Sequence, residues 1–252
     1  MIFLLCYNVI KKSERDGDLN MKFMSFNTQH CFNYVTRVID FDVMAKAILD
    51  CDADIVGLNE MRDFGSDSEY TAQVEKLSQL TGMKYYYFAK AIDVRDKGPY
   101  GNGILSKVPL LSVETVMIHD PVKKEGCRYE TRCILKAVIE GGVTVLVTHM
   151  GLHPDERVNA VAAVLEHVTA SKCVLMGDFN MKPNDPTLHP IYDVMQDSAV
   201  MFDSDKLSYP SDFPKRKIDY IFVSRDADIL MADIPAIVAS DHRPHVAEVK
   251  FS

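Results

Sequence analysis

The segment Cys173–Asp185, CVLMGDFNMKPND, runs an apolar stretch into an acid and an amide two positions apart. In a strand, residues i and i+2 face the same way. Asp178 and Asn180 should therefore project together where the strand leaves the core. Such a pair serves a turn as readily as a site, because Asp and Asn are ordinary turn formers. The pattern recurs, however. Asn27 closes the strand-like Phe23–Asn27, Glu60 closes ADIVGLNE, and His149 closes VTVLVTH. Asp219 opens DYIFVS, and Asp241 and His242 precede the last apolar run in ASDHRPHVAEV. Taken singly, each has a structural explanation as a cap, a turn or a sheet-edge histidine. Together they form a set, because strand ends on one side of a sheet converge and can line one cleft.

The chemistry of that set is coherent. Carboxylates and amides are hard oxygen donors, and no H-E-x-x-H or C-x-x-C spacing is present to hold zinc. Magnesium fits such a site, with manganese as the substitute. Two histidines beside the ion suit general acid–base or phosphate-stabilising roles. The reaction class is metal-assisted hydrolysis of a phosphate ester.

Several elements must position these residues. Phe41, Met44, Ala45, Ile48 and Leu49 recur at helical spacing and predict a helix over 41–51. A second helix is expected over 70–80, with Val74, Leu77 and Leu80 inward. A third is expected over 155–169, with Val158, Val161, Ala162, Leu165 and Val168 inward. Strands are expected at 23–27, 53–60, 173–178, 218–224 and 246–251. Tyr85–Ala91 and Gly101–Lys107 read as two more, and RCILKAVIE with VTVLVTH as a hairpin around Glu140-Gly141-Gly142. Strands outnumber helices and hairpins mix with crossovers, which argues for α+β with more than one sheet layer.

Composition sets limits. The chain has 252 residues, 36 acidic against 28 basic, for a formal net charge of −8. That balance disfavours non-specific binding of duplex nucleic acid, which needs a basic surface. Basic residues cluster at 123–132 and in Pro214–Lys217. Charge runs usually form solvated surface, but beside a cleft these would hold a multiply charged substrate. With no Pro/Gly/Ser-rich linker and no repeat, one domain is expected. Six cysteines form no close pair; Cys51 and Cys173 read as buried reduced thiols, consistent with a cytoplasmic compartment. Residues 1–20 open with MIFLLCYNVIKK, too short to span a bilayer and without a basic n-region. They read as an extension or a misassigned start, with a cryptic signal as the alternative, and the domain is placed at 21–252.

The ordered series SFNTQH, VGLNE, GNGILS, THMGLHPDERVNAV, MGDFN, KIDYIFVS and SDHRPHVAEV resembles the endonuclease/exonuclease/phosphatase superfamily, whose fold is that of deoxyribonuclease I. The resemblance covers about residues 21–251. It implies a four-layer α/β/β/α sandwich, two packed mixed sheets flanked by helices. It implies that Glu60 is the main metal ligand, that Asn27 supports metal and phosphate, and that Asp241 is a second carboxylate near the metal. Asp178 and Asn180 would position nucleophile and phosphate. His242 would be the catalytic histidine oriented by Asp219, and His149 a second active-site histidine. His149 points toward the deoxyribonuclease, sphingomyelinase and phosphatase branches, since the repair branch has a tyrosine segment there. Gln29 replaces an acidic residue of the repair enzymes, and Phe26 replaces a Trp or Tyr.

The expected activity is hydrolysis of a small phosphodiester or phosphomonoester by in-line attack of water. His242 is the first choice of general base and Asp178 the second. A metal-dependent nuclease is the runner-up, and a catalytically silent binding module comes third.

Overall fold

The computed structural model describes residues 19–65, 70–95 and 97–252. In chain order the elements are β1 (Leu19–Asn27), α1 (Phe41–Cys51), β2 (Ile55–Arg62), α2 (Gln73–Thr81), β3 (Tyr85–Val94), β4 (Gly98–Ser106) and β5 (Leu110–Met117). There follow β6 (Cys133–Ile139), β7 (Thr144–His149), α3 (Pro154–Leu165), β8 (Cys173–Asp178), α4 (His189–Val194), β9 (Met195–Asp197), β10 (Asp219–Ser224), β11 (Asp228–Asp233) and β12 (His245–Phe251). One six-stranded sheet has the order β11-β12-β1-β2-β4-β3, the other β5-β6-β7-β8-β10-β9. Parallel pairs β1–β2 and β7–β8 sit at the centre of each, with antiparallel neighbours outside them.

Strand alternation builds the layers. Met21, Phe23, Val145, Val147, Val174, Met176, Val249 and Phe251 face the gap between the sheets and form the central core. Their strand neighbours turn outward. Met24, Phe26, Val56 and Leu58 meet Met44 and Ile48 of α1 and Val74 and Leu77 of α2. Leu146, Leu175, Tyr220 and Phe222 meet Val161 and Val164 of α3 and Ile191 of α4. Each fully buried large apolar side chain is worth about 1.5–3 kcal/mol over its exposed state. The result is the expected α/β/β/α sandwich in one domain.

The helix faces differ in detail. In α1, Met44, Ala45, Ala47, Ile48 and Cys51 are buried, whereas Leu49 is exposed. α2 starts at Gln73 rather than 70, and Leu80 lies at its exposed margin. α3 stops at Leu165, and its inward residues are Glu156, Ala160, Val161 and Val164; Val158 and Ala162 face out. The cause is Glu156. Its carboxylate is turned inward to accept from the backbone nitrogens of Glu130 and His153, both at 3.0 Å, and this rotates the apolar stripe.

Three strands carried no sequence signal strong enough to read: β5, β9 and β11. β1 begins at Leu19, so Leu19 and Asn20 belong to the first sheet, paired with Phe251 and Lys250; the remainder of the expected extension lies outside the described residues. Cys51 and Cys173 are buried and free. Among the described residues no helix is long and apolar enough to cross a membrane.

Candidate active site

Parallel β1–β2 and β7–β8 bring the ends of four strands to one edge of the sandwich. There a cleft of about 830 Å³ is lined by Glu60, His149, Asp178, Asn180, Asp241 and His242. Asn27 and Asp219 are fully buried and stand one layer behind.

Local backbone sets the presentation. β2 does not end at Glu60 but continues to Arg62, and its register with β4 shifts between Leu58 and Met61. Glu60 sits in that bulge at φ 62°. The left-handed region costs an ordinary L-residue about 1–2 kcal/mol, and such outliers collect at functional sites. The bulge gives consecutive residues separate tasks: Asn59 points across to the other sheet and Glu60 lines the cleft. Asn180 is also left-handed, at φ 54°. Gly177 has φ 146°, and a Cβ there would run into the carbonyl oxygen of Thr148, so glycine is required for β7 and β8 to pair beside Asp178.

Asp178 is the hub. Its Oδ2 accepts from Asn27 Nδ2 at 3.1 Å and lies 3.5 Å from His149 Nε2 and 3.6 Å from His242 Nε2. Its Oδ1 accepts from the Asn180 backbone nitrogen at 2.9 Å. Burial, reinforced by Asp219 and opposed by His242, pushes its carboxyl up to about 7. His242 Nδ1 lies 2.9 Å from Asp219 Oδ2, which fixes Nδ1 as the donor and turns Nε2 toward Asp178. Burial alone would lower the histidine, but the carboxylates of Asp219 and Asp178 outweigh it and carry His242 to about 10. The Tyr209 ring covers His242 at 4.8 Å.

His149 is set differently, by a residue the sequence reading did not single out. Arg132 Nη1 lies 2.9 Å from His149 Nδ1. A guanidinium only donates, so Nδ1 accepts and the proton of the neutral ring sits on Nε2. Burial, then the Arg132 cation, hold His149 well below the ordinary histidine value. Asn180 Nδ2 donates to the Met150 carbonyl at 2.9 Å and lies 3.1 Å from His149 Nε2. Two N–H groups thus approach each other beside Asp178 Oδ2, an arrangement that a phosphoryl oxygen could accept from. Arg132 belongs to the 123–132 cluster, but it is buried in the site rather than solvated.

Glu60 is suited to a hard cation. Its Oε1 accepts from Asn27 Nδ2 at 3.0 Å, and His30 Nδ1 stands 3.9 Å from Oε2. Burial raises its carboxyl, with Asn27 offsetting part and Asp241 adding to the rise. Glu60 and Asp241 both line the cleft and could offer carboxylate oxygens as ligands to a hard cation, with His242 and Arg132 as nearby positive charges. The amide nitrogen of Asn27 serves Glu60 and Asp178 while its oxygen accepts from the Gln29 nitrogen at 3.0 Å. It orients the two carboxylates. Asp178, Asp219 and His242 also offer ligand atoms within 4.8 Å of one another. The His242–Asp219 hydrogen bond occupies that trio, which reads better as a proton-sharing group.

The endonuclease/exonuclease/phosphatase family model matches residues 24–242. The chain belongs to this family. Members of this family are hydrolases of phosphate esters, nucleases and phosphatases among them. Its fold matches an endonuclease/exonuclease/phosphatase from Beutenbergia cavernae at 21% identity and TM-score 0.71, covering 92% of this chain and 72% of that one. A family protein from Bacteroides thetaiotaomicron matches at 17% and 0.72, covering 94% and 99%. The mannosyl-6-phosphatase Bt3783 of the same organism matches at 17% and 0.70, covering 91% and 99%. No match was found among curated proteins.

Other site residues were missed because their types are unremarkable in sequence. Asn59, Asn102, Tyr100, His30 and Arg62 are not singled out by any sequence pattern. His30, Arg62 and Tyr100 line the cleft with the expected set, and Asn59 and Asn102 are buried behind it.

Proposed function

We propose that the chain is a divalent-metal-dependent hydrolase of small phosphate esters. The observation that carries this reading is the convergence of three donors, Asn27 Nδ2, His149 Nε2 and His242 Nε2, within 3.1–3.6 Å of Asp178 Oδ2. Glu60 and Asp241 would hold the cation, which supplies charge neutralisation on the phosphoryl oxygens. His149 Nε2–H and Asn180 Nδ2–H donate to a phosphoryl oxygen.

The proton chemistry follows from the two raised groups. With His242 at about 10 and Asp178 at about 7, His242 is cationic at neutral pH while Asp178 is poised to titrate. Asp178 therefore takes the proton of the attacking water, and His242, held by Asp219, donates to the departing oxygen. This places the general base on Asp178, the second choice from sequence, and makes His242 the acid.

Support for a small substrate comes from the acidic chain, −8 overall, and from the likeness to a mannosyl-6-phosphatase. A nuclease remains the second reading, favoured by Arg95, Lys97, Arg128 and Arg216 along the cleft rim. The test is Mg²⁺-, Mn²⁺- and EDTA-dependent hydrolysis of a diester, sugar phosphates, sphingomyelin, inositol phosphates and supercoiled plasmid. Metal-dependent turnover of a small ester with little nicking is expected. Efficient nicking at low enzyme and physiological salt, abolished in His242→Ala, would make it a nuclease.

A further inference from the structure

Arg62 ends β2, two residues beyond Glu60, and lines the same cleft. It is only 9% exposed, and its Nε and Nη1 are buried without a hydrogen-bond acceptor. The guanidinium lies 4.5 Å from the Tyr100 ring centroid and 5.3 Å from that of Tyr70. Arg132 approaches the same Tyr100 ring at 5.7 Å and also carries a buried, unpaired Nε.

The two arginines differ in their partners. Arg132 has Glu130 at 3.4 Å, the Tyr100 hydroxyl at 3.2 Å and His149 at 2.9 Å. Arg62 forms no ion pair with a described carboxylate. The buried Lys217 shows the usual arrangement, paired with Asp197 at 3.0 Å. A desolvated cation without an anion is unfavourable, and aromatic faces return only part of that loss. The accessible edge of Arg62 is the part that meets the cleft. With Nε and Nη1 buried, a guanidinium fixed by two rings presents Nη2 to the cleft and is prearranged for a charge-assisted hydrogen bond to a phosphate or carboxylate.

We propose that Arg62 anchors a second anion subsite, which holds a phosphate or carboxylate of the substrate other than the phosphate being hydrolysed. The inference rests on the phosphate-ester reading of the cleft and narrows its substrate class to compounds with two anionic groups. Glu60 and Arg62 are two residues apart on β2 and both line the cleft, so a substrate that meets both carries its two anionic groups on a short scaffold, such as a sugar ring or a chain of about four carbons. The subsite accounts for the choice of an arginine rather than an apolar side chain against Tyr100.

Calorimetry with two phosphonates that cannot be hydrolysed tests this. Butane-1,4-bisphosphonate and butylphosphonate are titrated in Mg²⁺ into wild type, Arg62→Met, Arg62→Lys and Glu60→Gln. Wild type is expected to bind the bisphosphonate about ten- to a hundredfold more tightly. Arg62→Met is expected to erase that preference and leave butylphosphonate unchanged. Arg62→Lys keeps the charge and the ring contact, so it is expected to keep the fold and weaken only the bisphosphonate. Equal wild-type affinities, absence of binding, or a preference that survives in a folded Arg62→Met or is undiminished in Arg62→Lys would each overturn the proposal. Glu60→Gln should weaken both ligands alike. No loss there, or no ester hydrolysed by wild type, would sink the phosphate-ester reading while the Arg62 comparison still stands.

Discussion

The side chain of Asn59 on β2 accepts a hydrogen bond from the backbone nitrogen of Asp178 on β8, at 2.9 Å, across the gap between the two sheets. Its Nδ2 donates to the Thr148 carbonyl at 3.0 Å and to Asn102 Oδ1 at 2.8 Å, and Asn102 continues to the Cys133 carbonyl at 2.9 Å. This buried amide relay fastens the sheets to each other directly behind the cleft. Asn59→Leu keeps the volume but leaves one donor and two acceptors unpaired in the interior. A loss of about 3 kcal/mol is expected in urea unfolding. The turnover number should fall further than KM changes, because Asp178 loses its backbone anchor.

The acid and base should appear in the pH profile. Asp178 must be ionised to take a proton, and its value stands near 7; His242 must be protonated to donate, and its value stands near 10. The kcat/KM profile should be a bell that rises through about 7 and falls through about 10. A profile flat between pH 6 and 11 would remove both groups from the chemistry.

Asp219 acts through His242, so its substitution should move a limb as well as the rate. Asp219→Asn removes the first-ranked of the carboxylates that raise the histidine. The alkaline limb should shift downward by one unit or more, with kcat reduced and the fold retained by circular dichroism. Unchanged kcat across the pH range would separate His242 from Asp219.

Asp178 should trade stability for function. Its folded value, about 7, lies above the ordinary 3.8, so the native state keeps a proton that the unfolded chain has released. As pH rises from about 4 the ionised carboxylate increasingly destabilises the native state, and the full penalty is present above about 7. Asp178→Asn abolishes that titration. The variant should be inactive, yet gain in Tm relative to wild type between pH 4 and 8. A Tm difference constant with pH would refute the linkage.

The fold was legible because its central strands are short apolar runs bounded by turns; Phe23 and Met24, Val145 and Leu146, and Val174 and Leu175 are apolar on both faces because each pair splits between two cores. The expected cleft residues were legible because chemistry-bearing types end those strands. What stayed hidden depends on tertiary contact. Glu60 is presented to the cleft from a bulge, and no local pattern announces φ 62° at a glutamate. Val158 was misplaced because a buried capping carboxylate, Glu156, rotated the helix. Arg132 lay in a charge run, and only its 2.9 Å approach to His149 separates it from solvated neighbours. β5 was invisible because its outer face is exposed at Leu111, Val113 and Met117.

Arg132 makes a spectroscopic prediction. Donation to Nδ1 places the ring proton of His149 on Nε2, so nitrogen-15 correlation spectra should show the neutral Nε2–H tautomer throughout the range near neutrality. Arg132→Met removes both the donor and the cation that lower His149. The ring should then exchange between tautomers, and its titration should move upward. Activity should fall by about a hundredfold or less, because a phosphoryl donor is misoriented rather than deleted. A single unchanged tautomer in the variant would show that Arg132 does not set it.

Glu60→Gln separates charge from shape. The amide retains the size of the carboxylate and still accepts from Asn27 Nδ2 through its oxygen, so the bulge and the amide network should persist. It removes the negative charge that, beside Asp241, suits the site to a hard cation. Burial disfavours that charge in the free protein, and a bound cation reverses the preference, so cation binding and Glu60 ionisation are linked. Calorimetry should therefore show Mg²⁺ binding to wild type with release of protons. The variant should show binding weakened by tenfold or more, and no proton release from this site. Turnover should collapse in Mg²⁺ and recover in part at millimolar Mn²⁺, which binds nitrogen and oxygen donors more strongly. EDTA should abolish wild-type activity while leaving Tm nearly unchanged, since Asn27, Asn59 and Asp178 hold the site without an ion. Wild-type turnover that persists in EDTA would exclude the metal-dependent mechanism.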